Sequence, residues 1–374
     1  MQFRDLKQQY LLYREEMDQA VAEVLSSGMY IGGTKVAELE TRLAEYVGVK
    51  HCVSCASGTD ALYLALRVWN IGPGDVVFVP DFTFFASSEV VSMVGATPVF
   101  VDVDSTYNIN PTDLEKKIQL SLQQGQNPRV VLAVDLFGLP ANYEQLRAIA
   151  NHYNLYLLED CAQGFGGSIG DQKACSFGDI STTSFFPAKP LGCYGDGGAL
   201  FTDNDDWAEI ASSLKVHGKG SNKYSNIRIG LNSRLDTMQA AVLGIKLNHF
   251  DSELKMVNTV AGQYDRLIKS EKVACPIIPV GYGSAWAQYT IRFEDAPMRE
   301  KMRRELQNKG IPSMVYYPTP LHLLPVYEGN KVADCPNAEL FSQTVLSLPM
   351  HPFLNEDEIE LIAETIIDSV ERLG

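Results

Sequence analysis

Lys189 stands between an apolar run and a glycine-rich loop, in Ser181-Thr182-Thr183-Ser184-Phe185-Phe186-Pro187-Ala188-Lys189-Pro190 followed by Gly192, Gly195, Gly197 and Gly198. Burial there would lower the pKa of its ε-amine and make it a nucleophile toward aldehydes. The alternative is an amine that reaches solvent from a loop. Glu159-Asp160-Cys161-Ala162-Gln163 follows a run of four apolar residues. A carboxylate at that place is costly without a positive partner, so Asp160 holds either a structural ion pair or the cation of a ligand. Ser57-Gly58-Thr59-Asp60 lies between a short β-type run and an apolar helix. Its hydroxyls and the helix N-terminus favour an anion such as phosphate, with a dipole contribution of ~0.3–2 kcal/mol; capping by Ser57 is the plainer use. Gly230-Leu231-Asn232-Ser233-Arg234 enters a further helix, for which Asn232 or Ser233 is a cap candidate.

Other patterns carry less. Gly164-Phe165-Gly166-Gly167-Ser168-Ile169-Gly170 imitates a dinucleotide fingerprint, but its third glycine is misplaced and no strand directly precedes it. Cys52 and Cys55 form a C-x-x-C whose helix starts too late, near Ser57, for a redox dithiol. The histidines show no H-x-x-x-H pair, and no metal is expected.

The elements that must position these residues alternate. Short apolar runs at 52–54, 76–79, 98–103, 130–134 and 155–158 read as strands. Helical segments at 60–69, 86–94, 114–122 and 143–152 separate them. Continuous apolar strands between helices predict an α/β fold with a mostly parallel central sheet flanked by helices. In such sheets ligands bind beyond the carboxyl ends of the strands, where the polar clusters fall. After about residue 246 the texture changes. A long helix at 235–250, strands at 289–293 and 314–317, a helix at 297–309 and a last helix after Asn355 predict a smaller α+β domain. The expected division is 1–245 and 246–374.

Composition sets bounds on partners and place. The chain has 374 residues, long enough for a large core without disulfides. Its net charge of −15 repels phosphate backbones and anionic lipid, so neither nucleic acid nor membrane is expected as a partner. Seven scattered cysteines, an odd number, read as a reduced cytoplasmic protein. Residues 1–16 carry charges of both signs and no apolar stretch, and no run approaches ~18 apolar residues, so neither a secretory signal nor a membrane span is read.

Taken in order, S-G-T-D-A-L at 57–62, E-D-C-A-Q at 159–163, S-F-F-P-A-K at 184–189 and G-L-N-S-R at 230–234 resemble the DegT-type sugar aminotransferases. These are pyridoxal-phosphate enzymes of aminotransferase fold type I. The resemblance runs from F-R-D-L-K at 3–7 to L-S-L-P-M-H-P at 346–352. It implies that Lys189 carries pyridoxal 5'-phosphate on its ε-amine and moves the proton at the amino-bearing carbon. Asp160 would pair with the pyridinium nitrogen, and Gln163 would bond the ring's phenolic oxygen. Phe84 would stack on the ring. Gly58, Thr59 and Ser184 would hold the phosphate, and Asn232 would reach it from a second subunit, making a homodimer with shared sites. Cys161 stands where the family often has alanine and receives no role. Some relatives replace the lysine with histidine and become dehydratases; Lys189 favours transamination here.

The resemblance further implies a ping-pong reaction in which L-glutamate leaves as 2-oxoglutarate and the amino group passes to a ketone on a nucleotide-linked sugar. The strings at 183–199, 232–241, 287–292 and 346–352 look closest to the branch that aminates carbon 3 of UDP-2-acetamido-2-deoxy-3-keto-glucuronate in surface-polysaccharide (O-antigen) synthesis. Arg234 is then a candidate bidentate partner for the substrate carboxylate, ahead of Arg228; a phosphate or a neighbouring chain is an equal alternative for Arg234. Tyr316, Tyr317 and His322, in a Tyr-Tyr-Pro-x-Pro-x-His stretch, fall in the region the family uses at the sugar end, or simply pack. The alternatives are an enzyme for dTDP-linked 3-keto or 4-keto 6-deoxy sugars and a cofactor-binding regulator on the same fold. The regulator needs a basic face that a charge of −15 disfavours.

Overall fold

Seven strands form the main sheet: β1 (His51–Cys55), β2 (Asp75–Pro80), β3 (Thr97–Val101), β4 (Asn127–Val134), β5 (Tyr156–Asp160), β6 (Ile180–Ser184) and β7 (Gly198–Thr202), in the spatial order β1-β7-β6-β5-β4-β2-β3. The computed structural model describes residues 1–222, 224–328 and 334–373. Pairing is parallel from β6 through β5, β4 and β2 to β3, and only β7 runs against its neighbours. Every residue of β2 is buried, as expected of a strand covered on both faces.

The helix Gly58–Val68 buries Ala61, Leu62, Leu64, Ala65, Leu66 and Val68, so it is apolar nearly all round because it lies inside the molecule. Its start is fixed by Ser57, whose Oγ accepts from the Asp60 N–H at 3.1 Å. Helices Ala86–Met93, Pro111–Gln123 and Tyr143–Tyr153 fill the other expected segments to within a few residues.

Three expectations needed correction. Strands β6 and β7 were not foreseen, because β6 reads Ile-Ser-Thr-Thr-Ser and lacks an apolar pattern. Its hydroxyls are satisfied inside: Thr182 Oγ1 donates to the Glu159 carbonyl at 3.2 Å and Thr183 Oγ1 to the Cys161 carbonyl at 3.1 Å. The segment 314–317 is no strand; Met314 alone bridges Ser347, since Pro312 and Pro318 bracket the stretch and remove donors. The helix expected at 235–250 is Thr237–Leu267, 31 residues long, so position 246 lies within continuous helix.

A second sheet orders Val273–Ala274, Tyr289–Phe293 and Val345–Leu348, all antiparallel. It packs with the helices Ala296–Asn308 and Glu356–Leu373 around a separate core that includes Tyr264, Tyr289, Phe293, Met302 and Ile366. The last helix carries the expected reciprocal cap: Asn355 Oδ1 accepts from the Glu358 N–H at 2.9 Å, and Glu358 Oε2 from the Asn355 N–H at 3.2 Å. Yet Leu321, Tyr327, Ala338 and Phe341 pack into the core of the large sheet. The segment 316–328 therefore returns to the large sheet, where the Leu321 N–H donates to the Asp81 carbonyl just past the end of β2 at 2.9 Å.

Candidate active site

The carboxyl ends of β5, β6 and β2 bring the chemistry-bearing residues together. Asp160 ends β5 and pairs in register with Thr182 of β6, two residues before Ser184. Asp160 is 6% exposed. Its Oδ1 accepts from the Ala162 N–H at 3.1 Å and its Oδ2 from Ser87 Oγ at 3.2 Å. Burial pushes its pKa up; the Ala162 N–H, the Lys189 charge and the Ser87 hydroxyl pull it back. Lys189 follows β6 in a turn closed by its own N–H on the Phe186 carbonyl at 2.8 Å. Burial pushes its pKa down, Asp160 opposes this, and Arg4 adds to it. Lys189 keeps partial solvent access, which screens these effects. Asp160 and Lys189 thus face each other electrostatically across one site.

Beside them stands an anion cradle. A Cβ added at Gly58 would come within 2.6 Å of Ser184 Cβ, so the start of the 58–68 helix and the end of β6 touch only because residue 58 has no side chain. Thr59 and Ser184 flank that contact. Ser233 pins the 230–234 loop to the same helix start: its Oγ accepts from the Ala56 N–H at 3.0 Å and donates to Asp60 Oδ2 at 2.6 Å. Asn232 and Arg234, on either side of it, are exposed. Among the described residues Arg234 makes no salt bridge, whereas Arg228 donates to Ser213 Oγ at 3.2 Å.

The aromatic wall comes from the loop after β2. Phe82 is 1% exposed and belongs to the core, while Phe84, two residues on, is 56% exposed and lies 6.2 Å from the Tyr317 ring. Phe84 is therefore open to a ligand rather than packed away. Gln163 Oε1 accepts from the Phe137 N–H at 2.8 Å, which turns its amide Nε2 to the Tyr317 hydroxyl at 3.0 Å. Burial pushes the Tyr317 hydroxyl pKa up. His322 has both ring nitrogens committed: Nδ1 lies 2.5 Å from Asp81 Oδ2 and Nε2 lies 3.5 Å from Glu339 Oε1. Asp81 Oδ1 also accepts from the His322 N–H at 2.8 Å. The pair fastens the 316–322 segment, with Tyr316 and Tyr317, to the loop that carries Phe84.

Three contributors escaped the sequence reading. Ser87 reaches Asp160 from the helix after Phe84. Phe137 orients Gln163 through a main-chain N–H that no motif could show. Arg4 donates to the Lys189 carbonyl at 2.8 Å across 185 positions of sequence; the only signal was its place in F-R-D-L-K. Behind the site, Glu159 accepts from the N–H groups of Cys175, Phe177 and Gly178 and from Ser181 Oγ. Asp135, also buried, takes Tyr143 OH at 2.7 Å and the Ala141 N–H at 3.0 Å on Oδ1, leaving Oδ2 without a partner.

A lysine opposed by a buried carboxylate, beside a helix start and an exposed aromatic ring, is the set of groups that a transaminase-type site on an α/β sheet requires. Residues 12–367 match the DegT/DnrJ/EryC1/StrS aminotransferase family, and the chain belongs to that family. It is 41% identical over 367 residues to the UDP-2-acetamido-2-deoxy-3-oxo-D-glucuronate aminotransferase of Pseudomonas aeruginosa, with 98% of this chain and 99% of the relative covered. It is 37% identical to the dTDP-3-amino-3,4,6-trideoxy-alpha-D-glucose transaminase of Streptomyces venezuelae, covering 99% and 96%. Among solved structures it superposes on a DegT DnrJ EryC1 StrS aminotransferase from Brucella abortus with a TM-score of 0.96 and 46% identity, covering 98% and 99%. NtdA from Bacillus subtilis, solved with bound cofactor PMP, gives a TM-score of 0.85 at 26% identity, covering 96% and 82%. Among the described residues no helix is long and apolar enough to cross a membrane.

Proposed function

We propose that this aminotransferase, which acts on nucleotide-linked sugars with pyridoxal 5'-phosphate, aminates carbon 3 of UDP-2-acetamido-2-deoxy-3-keto-glucuronate. The observation that carries the chemistry is the opposition of Asp160, at the end of β5, and Lys189, in the turn that follows the adjacent strand β6. The fit to the cofactor rests on three features. The cradle between Gly58 and Ser184 suits a phosphate, the exposed face of Phe84 suits a ring, and the buried Asp160 suits a ring cation. Bound there, pyridoxal phosphate supplies an electron sink for the carbon that gains or loses the amino group. Asp160 holds the proton on the ring nitrogen. Lys189 would hold the cofactor through Nζ and would carry the proton to or from the amino-bearing carbon. Gln163, whose Nε2 also donates to the Tyr317 hydroxyl, would use the same amide group to donate to the ring oxygen. Thr59 and Ser184 would bond the phosphate, and Phe84 would exclude water from one ring face.

The substrate assignment is supported by the P. aeruginosa relative and by Arg234, an exposed guanidinium free to fork a carboxylate. Tyr316 and Tyr317 line the sugar end, with His322 fastening them. L-glutamate is the donor we assign, and surface-polysaccharide synthesis in the cytoplasm is the setting. The unit is a homodimer. Met29, Tyr30 and Ile31 expose apolar surface next to the Asn232 loop, since Tyr30 O accepts from the Thr237 N–H at 2.9 Å. Ile227 and Ile229, 60% and 81% exposed, extend that surface from the other side of the loop. A dTDP-linked 6-deoxy keto sugar is the second reading, favoured by the S. venezuelae relative. Assaying uronic and 6-deoxy keto sugars decides between them. The uronic substrate should win, and Arg234→Gln should raise its KM by about 10- to 100-fold, the worth of a charged bidentate pair. Equal rates on both sugars overturn the assignment.

A further inference from the structure

The amino-terminal segment lies across the mouth of the site and touches both sides of it. Phe3 meets the Tyr316 ring edge-on at 6.3 Å, and its carbonyl accepts from the Met350 N–H at 3.2 Å. The next residue, Arg4, turns to the large sheet. Its Nη2 donates to the Lys189 carbonyl at 2.8 Å and to the Pro190 carbonyl at 3.4 Å. Asp5 then ends the segment by capping the helix Leu6–Leu12 through the Gln8 N–H at 2.8 Å.

We propose that Arg4 is a positioning residue for the Lys189 amine, holding the lysine's own main chain and standing as a fixed positive charge beside it. The inference rests on the assignment of Lys189 as the cofactor-carrying lysine. Two consecutive carbonyls bound by one guanidinium fix the direction in which the Lys189 side chain leaves the turn, and charged donors make stronger bonds than neutral ones. Arg4 is itself held in charge balance. Burial lowers its pKa to about 10, and Glu253 opposes this. Glu253 is only 8% exposed and is gripped by Gln9 Nε2 at 2.8 and 3.0 Å.

Two charges act on the Lys189 amine, Asp160 from β5 and Arg4 from the amino terminus. They pull in opposite directions. Once a bound ring cation answers the Asp160 carboxylate, Arg4 is left as the charge that favours the neutral amine. The neutral form is the one that attacks an aldehyde and accepts a proton.

Competitive labelling of the cofactor-free protein with an amine-reactive reagent across pH 6–11 reads this directly, with the Lys189 peptide followed by mass spectrometry. Wild type should label with a midpoint below the ordinary lysine value of ~10.4. Arg4→Met keeps the stem but removes charge and donors, and should raise the midpoint by roughly half to one unit. Arg4→Lys restores the charge and should return most of the shift, while pyridoxal phosphate should still bind about tenfold more weakly than to wild type because the fork is gone. An unchanged midpoint in Arg4→Met overturns the proposal. So does a shift that Arg4→Lys does not reverse, since lost packing would then explain it. Borohydride reduction of the loaded wild type separates the two readings: cofactor fixed on another lysine overturns the role of Lys189, and the labelling midpoints still decide whether Arg4 tunes it.

Discussion

The two ends of the site are made differently. At the cofactor end, Asp160, Gln163 and Ser184 sit at or just beyond strand ends, and their polar atoms are tied by main-chain or short side-chain bonds. At the proposed sugar end, Arg234, Tyr316 and Tyr317 sit on loops, Arg234 exposed and none in a regular strand. A reaction common to many substrates needs fixed geometry, and the sheet supplies it. A choice among sugars needs variation, and loops tolerate it. Even so, the variable end is not loose. The Asp81–His322 pair and the Ser233–Asp60 bond each fasten a sugar-side loop to a cofactor-side element.

The sharpest test of that division is at the cofactor end. Lys189→Ala should remove the visible absorbance of the bound cofactor and cut turnover by at least about a thousandfold, on every sugar alike. Retained turnover would break the scheme. Asp160→Asn keeps the volume and removes the charge, and should lower kcat by about a hundredfold, the order of a partner worth 1–3 pKa units. A loss confined to one sugar would place Asp160 at the wrong end of the comparison.

Mixing tests whether Asn232 serves the cofactor end of a neighbour. Lys189→Ala and Asn232→Ala proteins, each impaired alone, should regain activity when dissociated and reassociated together, because a mixed dimer then holds one intact site of two. Additive residual rates would assign Asn232 to its own chain's site.

The smallest effect lies behind the sheet. Burial, and next to it the Glu159 charge, push the pKa of Asp135 well above the ordinary carboxylate value. The folded chain then keeps a proton that the unfolded chain has lost. Its stabilising share is full below about pH 4 and declines as pH rises toward the raised value, at up to ~1.4 kcal/mol per pH unit. Denaturant midpoints between pH 4 and 7 should therefore fall less steeply for Asp135→Asn than for wild type. Parallel slopes would remove Asp135 from the account.

What the sequence disclosed follows the same division. Strands β2 to β5 are continuous apolar runs, and the helices between them have periodic faces, so both were legible. Asp160, Gly58 and Lys189 stood out because a buried charge or a bare backbone next to such a strand needs a reason. Strand β6 was hidden because its burial is satisfied by Ser and Thr hydroxyls bonding the Glu159 carboxylate and the carbonyls of Glu159 and Cys161 at the end of β5, a pattern that resembles a loop in one dimension. The contacts of Ser87, Phe137 and Arg4 were invisible because they depend on main-chain atoms or on partners far away along the chain. Residues 314–317 misled because Met-Val-Tyr-Tyr has the unbroken apolar and aromatic content of a strand, while the prolines at 312 and 318 remove the donors a strand needs.

The helix Thr237–Leu267 has a mechanical consequence. It leaves the Asn232 loop, runs 31 residues and ends in the core beneath the second sheet, where Val257, Val260, Ala261 and Tyr264 are buried. A swivel between the two lobes would have to rupture consecutive i→i−4 bonds of this rod, whereas bending it slightly spreads the strain over many turns. Gross gaping is thus resisted along its whole length, and adjustment to a bulky nucleotide falls to side chains and short connecting segments at the rim.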